Sequence, residues 1–361
     1  MSRSLPRSAW PRAARCLAFA GLLATMLFVV GCARLTARRL AQGPNTFPEL
    51  LTPRPRVTVD YGGFDLRQFP VRELRVGPDH ATLRYRVVEP ADFRLLMNYA
   101  WDTHREPARM RVTFRALQPG EPLPGLGTPR GTVVLLHGYG MEMSSLLPWA
   151  LRLAADGWRC VLVDLRGHGK STGPRIYFGT LEALELAQLL DELERTGRLI
   201  GPVTALGESY GASLALRWAA RDARLARVVA LAPYPELRRA TLNLRAEFVP
   251  WFPQSWLRAA LDQLPRVLAV RPESLDPITR VAGQPVRALL VAGGADRIAP
   301  PADVERLARA LPGRSEFVVV EGVAHEGLGL RLDLLGDRVS SWLAEASAEA
   351  SSAPFPGPPS P

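Results

Sequence analysis

Six short, unbroken apolar runs constrain this chain more than any other feature: Thr132 to Leu136, Cys160 to Val163, Val203 to Leu206, Val228 to Leu231, Ala288 to Val291 and Phe317 to Val320. A strand covered by helices on both faces reads this way, because neither of its alternating sides meets water. Helical patterning fills the intervals at Leu146 to Ala155, Leu181 to Arg195, Ala212 to Arg221 and Ala302 to Ala310. The alternation predicts an α/β class domain: a mostly parallel, doubly wound sheet with helices on both faces. At 361 residues and 47% hydrophobic composition, the chain can bury one such core with short extensions.

Two regions depart from that rhythm. Between Val57 and Leu117, segments such as Thr82 to Val88 and Arg111 to Arg115 alternate apolar and charged residues, which predicts half-exposed strands at an outer edge of the same sheet. From about 233 to 285 the alternation gives way to a stretch rich in Trp, Arg, Leu and Pro, with Trp251, Phe252 and Trp256. An interruption of this length inside a domain carries its own helices or a function; the expectation is a small helical lid.

The amino terminus reads as an address. A basic n-region precedes the apolar run Cys16 to Val30 and the small-residue site Val29-Val30-Gly31-Cys32. The run of fifteen apolar residues is short against the ~20 that span a bilayer as a helix. The site resembles a bacterial lipobox, which implies cleavage before Cys32, lipidation of Cys32, and an exported protein anchored in a membrane. Ala33 after the cysteine resembles the sorting signal of the outer membrane. The expected layout is a signal peptide over 1–31, a lipidated tether over 32–56, a catalytic domain over 57–344 and a disordered Ala, Ser and Pro tail over 345–361.

The formal charge of +10 does not point to nucleic acid. Four arginines in the first fifteen residues belong to the address, and no run of five basic residues or basic stretch interleaved with aromatics follows. Cys160 stands alone in an apolar run and reads as a small buried hydrophobe. No Cys and His cluster has ligand spacing for zinc, so no metal or other cofactor is expected. Asp164 to Ser171 ends like a phosphate loop, but Asp164 stands where that loop demands glycine.

Gly207-Glu208-Ser209-Tyr210-Gly211 follows one apolar run and opens a helical stretch, the strand, tight turn and helix context of a nucleophile elbow. The glycines let strand and helix approach closely around the serine. A serine hydroxyl needs a base within hydrogen-bond reach, itself oriented by a carboxylate. His325 follows the last apolar run and is the candidate base; His80, His104, His137 and His168 lie in edge or loop segments. Asp296, at the end of the preceding strand, is the candidate acid, with Asp276 and Glu321 as fallbacks. The oxyanion needs two preorganised N–H donors. One is the amide of Tyr210; the other comes from His137-Gly138-Tyr139-Gly140, with Tyr139 as the chosen donor and His137 and Gly138 as structural members of the loop.

Taken in order over Gly131 to Leu343, the five motifs His137-Gly-Tyr-Gly140, Asp164-Leu-Arg-Gly-His-Gly169, Gly207-Glu-Ser-Tyr-Gly211, Gly294-Ala-Asp296 and Ala324-His325 resemble the α/β-hydrolase superfamily, and within it the serine aminopeptidase S33-like and monoacylglycerol-lipase-like hydrolases. The resemblance implies a Ser209, Asp296, His325 triad, oxyanion donors at Tyr139 and Tyr210, and a lid between the sixth and seventh strands. The leading expectation is a carboxylic ester hydrolase working through an acyl-enzyme on a small acyl or ester substrate. The same triad serves a peptidase, thioesterase or lactonase; an aminopeptidase would need Glu236 or Glu247 to hold the substrate amine. A non-catalytic binding lipoprotein is the reading from another class.

Overall fold

The structure, a computed structural model, describes residues 32–46, 57–62, 64–102, 109–116, 121–123, 128–312 and 315–352. Residues 32–40 form helix α1, ahead of the strands β1 (Val57–Asp60), β2 (Val71–Val76), β3 (Ala81–Val88), β4 (Ala91–Asp92), β5 (Leu95–Asp102), β6 (Arg109–Ala116) and β7 (Glu121–Pro122). The alternating α/β part then runs β8 (Thr132–Leu136), α2 (Leu147–Ala155), β9 (Arg159–Asp164), α3 (Glu182–Arg195), β10 (Val203–Glu208), α4 (Tyr210–Ala219) and β11 (Leu225–Leu231). Three helices follow without a strand: α5 (Leu237–Phe248), α6 (Gln254–Leu268) and α7 (Ile278–Val281). The chain re-enters the sheet at β12 (Ala288–Gly293) and continues through α8 (Pro301–Ala310), β13 (Glu316–Val320), α9 (His325–Leu328) and α10 (Leu332–Ser352).

Eight strands make one sheet in the order β13-β12-β11-β10-β8-β9-β3-β2. The six apolar runs become its parallel strands, while β3 and β2 join antiparallel at one edge. Every residue of β8, β10 and β12 is buried, whereas β13, at the other edge, is mostly half-exposed. Helices flank the sheet in two groups: α2 against α10, and α3, α4, α7 and α8 each in contact with the next. The expected mostly parallel, helix-flanked architecture is the one observed.

Three expectations need correction. The strand around Arg111 to Arg115 is not part of the main sheet: β6 lies between β1 and β5 in a separate three-stranded sheet. Its inward side carries Met110, Val112 and Phe114, and Phe114 packs edge-on against Tyr61 and Phe64, which anchors the small sheet to the core. The segment after Cys32 is not a bare tether. α1 buries Ala33 and Ala37, Ala41 is fully buried beyond it, Ile176 N–H donates to Ala41 O at 2.8 Å, and the Asn45 side chain donates to Ser171 O at 2.9 Å. Finally, α10 continues the backbone through Ser352, so the helix takes in the first residues of the expected tail. The expected signal peptide, residues 1–31, and residues 353–361 lie outside the described residues.

Candidate active site

Ser209 sits between β10 and α4 with φ +52° and ψ −107°, a conformation that a non-glycine residue holds only under constraint from its surroundings. The constraint is visible in its flanking glycines. A Cβ on Gly207 would stand 2.3 Å from Gly211 O, and one on Gly211 would stand 2.0 Å from Leu136 O, so strand β10, helix α4 and strand β8 meet backbone to backbone. The Ser209 N–H donates to Leu231 O at 2.7 Å, fixing the turn to β11.

The structure brings Ser209, His325 and Asp296 together at the carboxyl ends of β10, β13 and β12. Ser209 Oγ lies 2.8 Å from His325 Nε2, and His325 Nδ1 lies 2.7 Å from Asp296 Oδ2. With Nδ1–H donating to the carboxylate, Nε2 is the acceptor that faces the hydroxyl. Asp296 is buried, and its other oxygen accepts the amides of Ile298 and Ala299, each at 2.8 Å. One carboxylate thus caps the turn before Pro300 and orients the imidazole. Burial by itself pushes the His325 pKa down; the hydrogen bond and charge of Asp296, joined by Glu208 and Glu326, outweigh burial and hold it above the usual imidazole value. The fallback acids are elsewhere: Asp276 accepts the Leu237 amide at the start of α5, and Glu321 is exposed.

His137 is fully buried, with Nδ1–H donating to Gly138 O at 2.8 Å and Nε2 accepting the Leu165 amide at 3.0 Å. Burial pushes its pKa down to about 3, so it stays neutral and holds its loop rather than moving protons. His168 stacks on Tyr210 with ring centroids 5.5 Å apart and meets the Tyr139 ring edge-on at 5.7 Å, which clamps the two loops carrying the Tyr139 and Tyr210 amides. The Tyr210 amide is the first of α4, among those without a partner inside the helix and at its positive end. Asp164 fastens the former phosphate-loop lookalike, accepting the Met143 and Lys170 amides at 2.8 and 2.9 Å. His80 lies in an exposed turn and His104 lies outside the described residues. Among the described residues, no group of three or more His, Cys, Asp or Glu is placed to hold a metal.

Two cavities flank the pair. The first opens at Ser209 and is lined by Leu40, Phe178, Leu237, Leu244, Leu261 and Ile298 together with Tyr139 and Tyr210, with no charged side chain among the described residues of its wall. Leu40 comes from the end of α1, a contribution the sequence reading missed. Its signal was present: Ala33, Ala37 and Ala41 recur at four-residue spacing, but small residues beside Arg34, Arg38 and Arg39 give little hydrophobic contrast. The second cavity, on the His325 side, is lined partly by the three-stranded sheet. Of the acids considered for an aminopeptidase, Glu236 is paired with Arg306 at 2.8 Å, and Glu247 lines the second cavity, 3.9 Å from Arg297.

Comparison with known proteins agrees with this fold. Residues 127–284 match the family model described as serine aminopeptidase, S33. Over 94 residues the chain is 34% identical to the monoacylglycerol lipase of Mycolicibacterium smegmatis, covering 26% of this chain and 34% of that protein. Over 195 residues it is 29% identical to an uncharacterised protein of Mycobacterium tuberculosis, covering 54% and 62%. The chain therefore matches less than two thirds of the length of these curated relatives. In fold it is similar to an esterase of Pyrococcus furiosus, with TM-score 0.55, 18% identity and coverage of 82% of this chain and 100% of that one. An α/β hydrolase from Penicillium sp. sh18 gives TM-score 0.52, 17% identity and coverage of 77% and 99%. The chain therefore has the α/β-hydrolase fold, and its residues 127–284 are similar to the serine aminopeptidase S33 family.

Proposed function

We propose that the protein is a carboxylic ester hydrolase that carries an acyl group on Ser209. The observation that carries this reading is the charge-free, apolar cavity opening at the serine. An alkyl or aryl acyl group gains ~25 cal/mol per Å² of apolar surface taken from water there. An aminoacyl group would bring its ammonium into a wall that offers no carboxylate, and that disfavours an aminopeptidase.

In the reaction His325 Nε2 takes the Ser209 proton as Oγ bonds to the ester carbonyl carbon, and the oxyanion is held by the amides of Tyr139 and Tyr210. Collapse breaks the bond to the leaving oxygen, which receives the proton from Nε2. Water then attacks the acyl-enzyme, gives its proton to Nε2, and releases the acid as that proton returns to Ser209. Asp296 keeps Nδ1 protonated and stabilises the imidazolium throughout.

The test is hydrolysis of p-nitrophenyl esters and aminoacyl p-nitroanilides by the chain from residue 33 onward, alongside Ser209→Ala. Esters should turn over, with kcat/KM falling at least ~10⁴-fold in the mutant, and a fluorophosphonate should label the unmodified chain alone. Cleavage of anilides in preference to esters would overturn the ester reading, and labelling of Ser209→Ala would overturn the nucleophile.

Export and lipidation at Cys32 form a second part of the proposal, supported by Val29-Val30-Gly31-Cys32 and the apolar run before it. Cys32→Ala should leave the membrane fraction and run at altered mobility; a variant that stays membrane-bound and unchanged in mobility would refute lipidation.

A further inference from the structure

The triad separates two cavities of different chemistry, and the direction of proton transfer says which part of an ester goes where. Ser209 lines the apolar cavity and His325 lines the other. The leaving oxygen takes its proton from His325 Nε2, so it departs on the imidazole side. The second cavity is therefore the site of the leaving alcohol.

Its walls come from three places: Val57, Trp101 and Met110 from the three-stranded sheet, Glu247 from α5, and Arg297 and Glu326 from the loops that carry Asp296 and His325. The apolar residues do not fill it with side chains of their own: Trp101 stays 54% exposed, unlike the buried Met110 beneath it on the paired strand. Glu326 Oε1 is shielded from solvent yet accepts no hydrogen bond from the described residues. A shielded carboxylate oxygen without a donor is costly, and a turn of the Glu326 side chain into the cavity that it lines, where a ligand hydroxyl can donate to it, relieves that cost.

Electrostatics narrows the class further. A cationic leaving group would sit beside the imidazolium that forms on His325 during the reaction, and an anionic one would face both Glu247 and Glu326. A neutral molecule rich in hydroxyls suits both constraints, with Glu326 and Glu247 accepting and Arg297 donating. An exposed indole adds a flat apolar platform suited to the C–H face of a ring. We infer that the second cavity binds a neutral, ring-shaped polyol, a sugar-like alcohol, as the leaving group, and that the three-stranded sheet supplies its stacking surface through Trp101.

This inference rests on the ester-hydrolase reading, and its test is built to separate the two. With the full chain in detergent, kcat/KM is compared for methyl butyrate, glycerol monobutyrate and 6-O-butyryl-glucose, which share one acyl group. The glucose ester should exceed the methyl ester by about tenfold, the scale of one aromatic stacking contact. Trp101→Ala and Glu326→Gln should each reduce that advantage several-fold, while Trp251→Ala, on an aromatic residue lining neither cavity, should leave it intact. An advantage that survives Trp101→Ala overturns the inference, as does a glucose ester no better than the methyl ester. A preference for the glycerol ester that depends on Glu326 but not on Trp101 overturns the ring-shaped class. Should no ester be cleaved, saturation-transfer NMR of methyl β-glucoside with Ser209→Ala still decides: binding lost in Ser209→Ala with Trp101→Ala supports the site although the ester reading has failed, and absence of binding overturns the site as well.

Discussion

Glu208 stands immediately before the nucleophile, buried at the end of β10, with its carboxyl packed where a Cβ on Gly329 would fall. Burial pushes its pKa up to about 7, against the pull of His325. The two groups titrate as a coupled pair, and the sign of the coupling can be worked out. His325 must be neutral to accept the Ser209 proton, so activity falls as pH drops through its pKa. Glu208, when ionised, favours the imidazolium and raises that pKa. Glu208→Gln removes the charge while keeping the shape, so the acid limb of kcat/KM should move to lower pH and sharpen toward a single ionisation. An acid limb that stays in place would show that the carboxylate does not reach the base electrostatically. Residue by residue, the candidate site was legible where chemistry demands local pattern. Gly207 and Gly211 mark a backbone contact that no side chain could enter, and Asp296 and His325 each follow an apolar run. Glu208 was quoted within the motif, but its burial depends on Gly329, 121 positions away, and spacing along the chain does not reveal that.

At the scale of elements, buried strands were readable because an unbroken apolar run admits few other readings, and the six runs fall within the six parallel strands. The half-exposed strands were readable as strands but not as members of a sheet. The alternation in β6 would suit either sheet, and the choice is made by Phe114 meeting Tyr61 and Phe64. α1 was the harder case, since its inward stripe is alanine and its outward face carries Arg34, Leu35 and Arg38. Its consequence reaches the site, because Leu40 forms part of the apolar cavity wall at Ser209 beside Leu261 and Leu264 of α6. Leu40→Trp fills that space, and the optimum acyl length on p-nitrophenyl esters should shorten, each methylene denied its burial costing about fourfold in kcat/KM. A chain-length profile that matches the unsubstituted protein would remove α1 from the acyl site.

For the whole molecule, the question is where the catalytic unit begins. Composition placed its start near residue 57, after a tether. The contacts move that boundary upstream: Ala41 O accepts the Ile176 amide, Gln42 bridges to Arg175, and Asn45 bonds to the loop from Gly167 to Ser171. That loop is the one Asp164 fastens, and Asp164 also holds the Met143 amide just beyond the Tyr139 turn, so the amino-terminal segment is tied through two hydrogen-bonded links to the oxyanion side of the site. A chain begun at residue 47 keeps every strand of the three sheets but loses α1 and these bonds. Burial of three alanines and part of Leu40, together with the lost hydrogen bonds, amounts to about 3 kcal/mol, which should lower Tm by roughly 5 °C or more relative to a chain begun at residue 33. The shorter chain should also lose discrimination among acyl lengths, since one wall of the apolar cavity is gone, while fluorophosphonate labelling of Ser209 persists. Equal Tm and equal selectivity in the two chains would return residues 33–46 to the role of a passive spacer. A shift in both would mean that the segment leading to the proposed anchor is part of the enzyme, so that the apolar cavity is held within about 12 Å, eight residues of helix, of Cys32.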